Sequence, residues 1–503
     1  MPEILEMITV APADFRAGPL PHNHVTRAQW GLAAADASRD MLTLLSLWAS
    51  RGSVHMALLD METMRLGVLS YESRSKTYPS VSRFHAPAQR LERAMVDLFG
   101  FHPDTAPDAR PWLDHGRWDV THPMGKAEPG SRAVPYEFLP VIGESLHQVA
   151  VGPVHAGIIE PGHFRFTVQG ELVVRLEERL GYTHKGIDRL MQGATLQRGA
   201  SLAGRTSGDS TVAYAWAFAQ AAEAALAAEV PERGLWLRAL MAELERLANH
   251  LGDIGAICND AAFAMMLAQC SVLRERVLRA CDGCFGHRMM RDRIVPGGVS
   301  HDLTAEGQQT LRALLVEIRC SFPSIVALYD GTASILDRTV AAGVLTPALA
   351  KQYGAGGYVG RASGRNFDAR RDLAYAPYDK LQFEVPLRTD GDVNARIWLR
   401  IDEVIQSLSL IEQILEQLPE GPIYAAPIPV GAPREGLGLV EGFRGDILVW
   451  LALDAKGRLT RCHMRDPSWF QWPLLEAVID GNIIADFPLC NKSFNCSYSG
   501  HDI

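Results

Sequence analysis

The apolar positions along the chain change period several times. From Thr211 onward they recur at helical spacing over long windows, which predicts helices over 211–229, 232–257, 262–291, 304–330 and 396–418. Each is longer than an ordinary globular helix and apolar over a broad face, so together they predict a bundle around a large shared core. Two stretches alternate with the period of a strand instead. FRFTV and ELVVRLEE flank Gln169-Gly170, and the stretch GDILVWLALDAKGRLTRCHMR turns at Lys456-Gly457, so each predicts a hairpin.

The first hundred residues are organised differently. Met41 to Trp48 is amphipathic, HMALLDMETMRLGVLSYES alternates, and LERAMVDLF reads as a helix that stops at Gly100. Residues 103–135 carry PDTAPDARPW and THPMGKAEPGSRAVP with little periodicity, and their repeated prolines predict an extended linker. The expected organisation is an α+β chain: a small α+β domain over 1–115, an extended linker over 116–144, and a large mainly helical domain with peripheral hairpins over 145–503.

Composition narrows the function classes. With 503 residues and 47% hydrophobic content, the chain can bury the cores of two or three domains. A formal charge of -9 with no Lys/Arg run offers no basic stripe, which argues against nucleic acid as a partner. The opening MPEILEMITVAPADF lacks the basic and apolar regions of a secretory signal, and no apolar run reaches the roughly 18 residues of a membrane span. Membrane contact is therefore expected through partners. The eight cysteines follow no framework spacing, a pattern suited to the reducing cytoplasm.

No P-loop, strand-linked G-x-G-x-x-G, H-E-x-x-H or G-x-S-x-G is present. Cys281 and Cys284 form the one C-x-x-C, inside a predicted helix and without a second pair, so two buried thiols are expected. Polar residues gather where the periodicity breaks: His155, Glu160 and His163, then Tyr182, His184 and Asp188. Glu243, Arg246 and His250 share one helix face. These groups read as a cavity lined by protonatable side chains or as salt bridges and caps between helices. RASGRNFDARRD, from Arg361 to Asp372, packs four arginines and two aspartates into one loop, suited to bidentate pairing as structural glue or as an interface. The turn RTSGDS is an adequate helix start, with Asp209 or Ser210 as the cap for a helix beginning near Thr211.

Taken in order, GPVHAGIIEPGHF, GYTHKGIDRLM, ELERLANHLGDIGA, HRMMRDRIVPGGV, RASGRNFDARRD, VEGFRGDI and RDPSWFQWPLLEAVIDGNIIADFPL resemble the large subunit of membrane-bound [NiFe] hydrogenases and its homologue, the 49-kDa subunit of complex I. LERAMVDLFGFHPD is similar to the helix signature of the 30-kDa complex I subunit, with Val96 at its usual tyrosine. Fusion of the two resembles the hydrogenase-4 and formate hydrogenlyase type.

The resemblance implies where a metal would sit and that its ligands are missing. The two C-x-x-C pairs of the hydrogenase branch fall on Ser207, Ser210, Ser497 and Gly500, with Cys496 one residue out of register. A nickel–iron centre needs soft, deprotonated thiolates, so none is expected here, and this chain is expected to bind no cofactor itself. Of the His and Tyr that hold quinone in the complex I branch, His163 matches the first, while the tyrosine position falls on Gly208. The resemblance further implies a cavity with Asp188, His163, Glu160 and Arg465 as proton-relay candidates. It also implies a small [4Fe-4S] subunit and antiporter-like membrane subunits as partners, on the cytoplasmic side of the inner membrane. The function so implied is that of a large peripheral-arm subunit coupling electron or proton transfer to ion translocation. The alternatives are a subunit binding quinone or another small redox substrate, with Tyr498 or Tyr182 as donor, and a non-catalytic scaffold.

Overall fold

In the computed structural model, residue 4 and residues 18–503 are described, except 22, 131–134, 156 and 430. The opening stretch through residue 17, Ile4 apart, and residues 131–134 of the expected linker lie outside the described residues.

The first unit sets two helices, α1 (Arg27–Ser38) and α2 (Gln89–Phe99), beside an antiparallel meander of β1 (Thr43–Ser50), β2 (Ser53–Asp60) and β3 (Arg65–Glu72). Helix α2 ends where the sequence places its stop, because Gly100 adopts φ +69°. The stretch read as amphipathic is strand β1, and it is buried along both faces. It is covered on both sides because α2 packs against it and the C-terminal unit closes over it: Arg465 Nε donates to Leu45 O at 2.7 Å and Arg461 Nε to Ala49 O at 3.1 Å.

Among its described residues the proline-rich stretch contains no helix, yet its first part is pinned. Asp97 of α2 accepts the backbone N–H groups of Trp112, Leu113 and Asp114, and Arg93 donates to the carbonyls of Arg110 and Pro111.

The larger unit begins with a sheet in which β5 (His163–Gln169) pairs with both β4 (Leu146–Val151) and β6 (Leu172–Arg179). The hairpin β5–β6 is the one its alternation predicts; β4, half-exposed and irregular in pattern, is not legible in that way. Five long helices follow near their predicted limits: α3 (Thr211–Leu226), α4 (Glu232–Asp260), α5 (Ala264–Phe285), α6 (Ala305–Asp330) and α7 (Val393–Gln417). Helix α4 packs against α5 and α7, and α5 against α6.

A second meander, β7 (Arg434–Gly442), β8 (Gly445–Leu453) and β9 (Leu459–Arg465), lies against α3. The alanines of α3 and the glycines of β7 explain the close approach. A Cβ at Gly436 or Gly438 would overlap the carbonyl oxygens of Ala221 and Ala217. After β9 come α8 (Ser468–Val478) and the closing turn Tyr498–His501.

Candidate functional site

Helix α3 starts directly after the turn RTSGDS, and neither residue expected to cap it does so. Ser210 makes no side-chain cap bond. The carboxylate of Glu245, on α4, accepts the N–H groups of Val212 at 2.7 Å and Ala213 at 3.1 Å instead. Asp209 and Ser210 are unavailable because Arg444, between β7 and β8, takes both. Its fork donates to the two Asp209 oxygens at 2.8 and 2.5 Å and to Ser210 Oγ at 3.2 Å. A bidentate, charge-assisted pair outcompetes a neutral amide for the same acceptor. Burial pushes the Asp209 carboxyl up, but the Arg444 guanidinium outweighs it and holds the group below its ordinary value. Burial pushes Glu245 up to about 8, although the two amides favour its charged form.

The four positions implied for metal ligands are brought together in space. Ser207 Oγ and Ser497 Oγ lie 2.8 Å apart and hydrogen-bond each other, closing the two halves of the site. Ser207 also donates to Asp209 at 2.8 Å, and Ser497 accepts the Gly500 N–H at 2.9 Å. Gly500 has no room for a side chain, since a Cβ there would stand 2.5 Å from Asp466 Oδ2. Asp466 is itself fixed by Tyr214 Oη at 2.8 Å and the Ser468 N–H at 2.8 Å. Arg444 bridges the halves a second time by donating to the Asn495 carbonyl at 2.5 Å.

Three hydroxyls, a glycine and a guanidinium do not fit a soft cation, because none supplies a thiolate. Cys496 is buried, and burial raises its thiol well above the ordinary range, which keeps it protonated. Arg444, Asp466, Tyr214 and Glu245 were not singled out from the sequence. Arg444 and Asp466 do lie inside quoted motifs, VEGFRGDI and RDPSWF, so a signal was present for both.

The four candidate relay residues do not share one cavity. Asp188 is buried in the short helix Ile187–Met191; its Oδ2 meets Arg461 Nη1 at 2.6 Å, and its Oδ1 is buried without a partner. It borders a cavity of about 30 Å³ with Trp48, Phe99 and Met464, room for about one water. Arg465 does not line that cavity and pairs with Asp446 at 2.5 Å. His163 bonds the Gly152 carbonyl at 3.0 Å, and burial lowers its pKa. Glu160 is exposed and accepts the Ser499 N–H at 3.1 Å, which places it alone of the four against the closing turn.

The remaining polar residues have structural partners. His184 bonds the Asp502 carbonyl at 3.1 Å, and the His155 ring accepts the Gly157 N–H at 3.2 Å. Tyr182 packs edge-on against His115, and Tyr498 is buried with its hydroxyl 3.5 Å from Asn491 Nδ2. The two C-x-x-C thiols are free, and burial pushes Cys284 up to about 11.

The charged loop and the polar face of α4 form one buried ionic lattice. Arg361 pairs with Glu403 at 2.5 Å and Glu441 at 2.8 Å; Arg370 pairs with Asp368 at 2.7 Å and Glu243 at 3.0 Å. His250 Nε2 meets Glu403 at 2.6 Å, and Arg246 lies 3.5 Å from both Glu243 and Glu403. Burial opposes the charge of Glu403, yet Arg361, His250 and Arg246 hold its carboxyl well below the usual range. Burial and the neighbouring Asp368 push Glu441 up to about 7. Of the two readings of these residues, salt bridges between elements is the one realised.

The chain matches the model of the respiratory-chain NADH dehydrogenase 49 Kd subunit over residues 260–435 and 428–502, and that of the 30 Kd subunit over 28–134. It is 30% identical over 442 residues to formate hydrogenlyase subunit 5 of Escherichia coli (strain K12), covering 86% of this chain and 78% of that protein. It is 31% identical over 352 residues to the carbon monoxide-induced hydrogenase of Rhodospirillum rubrum, covering 70% of this chain and 98% of that one. A chain of the membrane-bound sulfane sulfur reductase, an archaeal respiratory membrane complex, shares the fold with a TM-score of 0.68 at 24% identity, covering 72% of this chain and all of that one. The collinear motifs, the helical domain with its two meanders and these matches agree: the chain belongs to the hydrogenase-related family of the complex I 49-kDa subunit, with a domain of the 30-kDa subunit family fused ahead of it in the same chain.

Proposed function

We propose that this chain is the large peripheral-arm subunit of a membrane-bound, complex I-like oxidoreductase that works without a [NiFe] centre. The observation that carries the reading is the hydrogen bond between Ser207 Oγ and Ser497 Oγ at 2.8 Å, which joins the two halves of the implied metal site to each other. The Asp466 carboxylate beside Gly500 and the Arg444 bridge support it further, because both occupy the site with protein groups.

Electrons would then pass through a small [4Fe-4S] subunit packed against this chain, with antiporter-like membrane subunits below it on the cytoplasmic side. No described helix is long and apolar enough to cross a membrane, which supports attachment through such partners. Within the chain, Asp188 is the relay candidate with the best support: it has an orphan carboxylate oxygen and a one-water cavity beside it. Arg465 is a positioning residue between the two domains.

The purified complex should contain far less than one nickel per chain and show no hydrogen-dependent dye reduction. Stoichiometric nickel together with that activity would overturn the proposal.

A further inference from the structure

One feature that the serine site leaves unexplained is a half-open cavity of about 510 Å³ between the two domains. Helix α2 supplies Arg90 and Arg93 to its wall, β6 supplies Glu177 and Glu178, and α8 supplies Glu476. At its inner end one guanidinium serves two carboxylates. Arg90 Nη1 lies 3.0 Å from Glu178 Oε2, and Arg90 Nη2 lies 2.9 Å from Glu476 Oε1. The Glu178 backbone N–H also donates to Glu476 Oε1 at 2.8 Å, which holds the Glu476 carboxylate beside β6.

The neighbouring cations are committed elsewhere. Arg93 pairs with Asp108 at 3.1 Å, and Arg110 with Asp108 at 2.7 Å and Glu177 at 2.6 Å. Arg175 donates to the Leu139 and Pro140 carbonyls, and Arg179 to those of Trp112 and Asp114. Of the other titratable groups near the pair, Tyr353, Tyr498 and Cys496 have raised pKa values and stay neutral near pH 7, and burial lowers that of His501, which stays neutral as well. Two carboxylates thus share the one guanidinium that pairs with them directly; Arg93 acts on Glu476 only from farther off, and Arg179 is tied to carbonyls. Glu178 is only 1% exposed, and its Oε1 is buried with no hydrogen-bond partner. A half-shared counter-ion and an orphan oxygen in so dry a place both call for a proton.

We propose that Glu178 and Glu476 together hold one exchangeable proton near neutral pH, which makes the domain joint a proton-uptake site fed by water in the cavity. The proton completes the charge balance against Arg90 and occupies the otherwise unpartnered side of Glu178. Burial raises both carboxyls above their ordinary range, with Glu476 adding to it at Glu178 and Glu177 adding to it at Glu476, while Arg90 at both and Arg93 at Glu476 oppose without prevailing. The site lies on the strand that follows the hairpin turn and is electrostatically close to Tyr498 of the closing turn. The assignment does not depend on how the serine site is read.

Infrared spectroscopy of the full-length protein tests it directly. At pH 7 the wild type should show, beyond the bands of other buried carboxyls such as Glu245 and Glu441, a C=O band of a protonated carboxyl that shifts in deuterium oxide and is assigned to the pair by its loss in Glu178→Gln, and that band should titrate away above neutrality. Glu178→Gln should abolish it. Glu476→Gln removes the like charge and should weaken proton binding at the pair roughly tenfold or more, so the band fades at a lower pH. Absence of the band in the wild type overturns the proposal, as does its persistence unchanged in both variants. If Glu178→Gln does not fold, the wild-type titration and Glu476→Gln decide the matter alone.

Discussion

The serine turn and the ionic lattice both abut α4, through Asn249 and Glu243 respectively, and hold their polar groups by different physics. At the turn, Ser207 and Ser497 satisfy each other as neutral hydroxyls, and the one strong element is the Arg444–Asp209 fork, whose carboxylate side chain is 32% exposed. In the lattice, Arg361, Arg370, Glu243 and Glu403 are all within 2% of full burial, and each charge depends on at least two others. A site of short neutral side chains can lose its original chemistry and close on itself at small cost. A lattice of buried charges cannot lose one member without stranding the rest.

That contrast sets the order of expected effects. Glu403→Ala leaves Arg361, Arg246 and His250 facing a cavity without their shared carboxylate, and should destabilise the protein by about 3–5 kcal/mol in denaturant unfolding. A loss below about 1 kcal/mol would mean that the lattice is not integral to the fold. Arg444→Ala should cost about 1.5–3 kcal/mol, since it removes a charged fork that joins the two halves of the turn. Arg444→Lys should restore only part of that, because a point charge cannot bridge Asp209 and Asn495 in the same way.

Within the turn, Gly500→Ala should cost about 1–3 kcal/mol by forcing Asp466 aside. Ser207→Ala should cost only about 1 kcal/mol. Equal costs for these two would show that Asp466 is mobile rather than fixed by Tyr214 and Ser468.

The smallest effect concerns the joint between the domains, where Trp48 stacks between His55 at 5.4 Å and His463 at 4.9 Å. Burial holds the His463 imidazole well below its ordinary pKa, with Arg461, Arg465 and His55 adding to it. The unfolded chain therefore takes up this proton first as the pH falls, and the stability associated with neutral His463 is lost below about pH 6.5. The stability difference between wild type and His463→Gln should be constant from pH 8 to 7 and shrink below 6.5. For Glu403→Gln the difference should persist to about pH 4.5 and shrink only below it, because the folded carboxylate is held down. A common midpoint for the two variants would remove the distinction.

The sequence carried most of the helical domain because five long windows of helical apolar spacing leave little freedom in how those segments fold. It also carried the pairing of ligand positions, since Ser207 and Ser497 do meet. The amphipathic reading of Met41 to Trp48 failed for a definite reason: its second face is covered by β8 and β9, which follow some four hundred residues later. The cap of α3 was misplaced on similar grounds. Asp209 and Ser210 have the right chemistry in the right position, but a more strongly charged partner from the β7–β8 turn reaches them first. Strand β4 escaped notice because a half-exposed strand carries little alternation.

What the sequence determined by itself was the class of the five long helices and of the two hairpins, and that Ser207, Ser210, Ser497 and Gly500 carry no thiol, because periodicity and residue identity are local. What only the tertiary structure decided was how the vacated positions were filled and where the protonatable groups stand relative to one another. Asp188, His163, Glu160 and Arg465 look like one group along the chain and occupy separate places in space, while Arg90, Glu178 and Glu476 look unrelated and share one guanidinium. Charge pairing acts over a few ångströms irrespective of separation along the chain, so which partner neutralises which group is fixed only when the two domains close on each other.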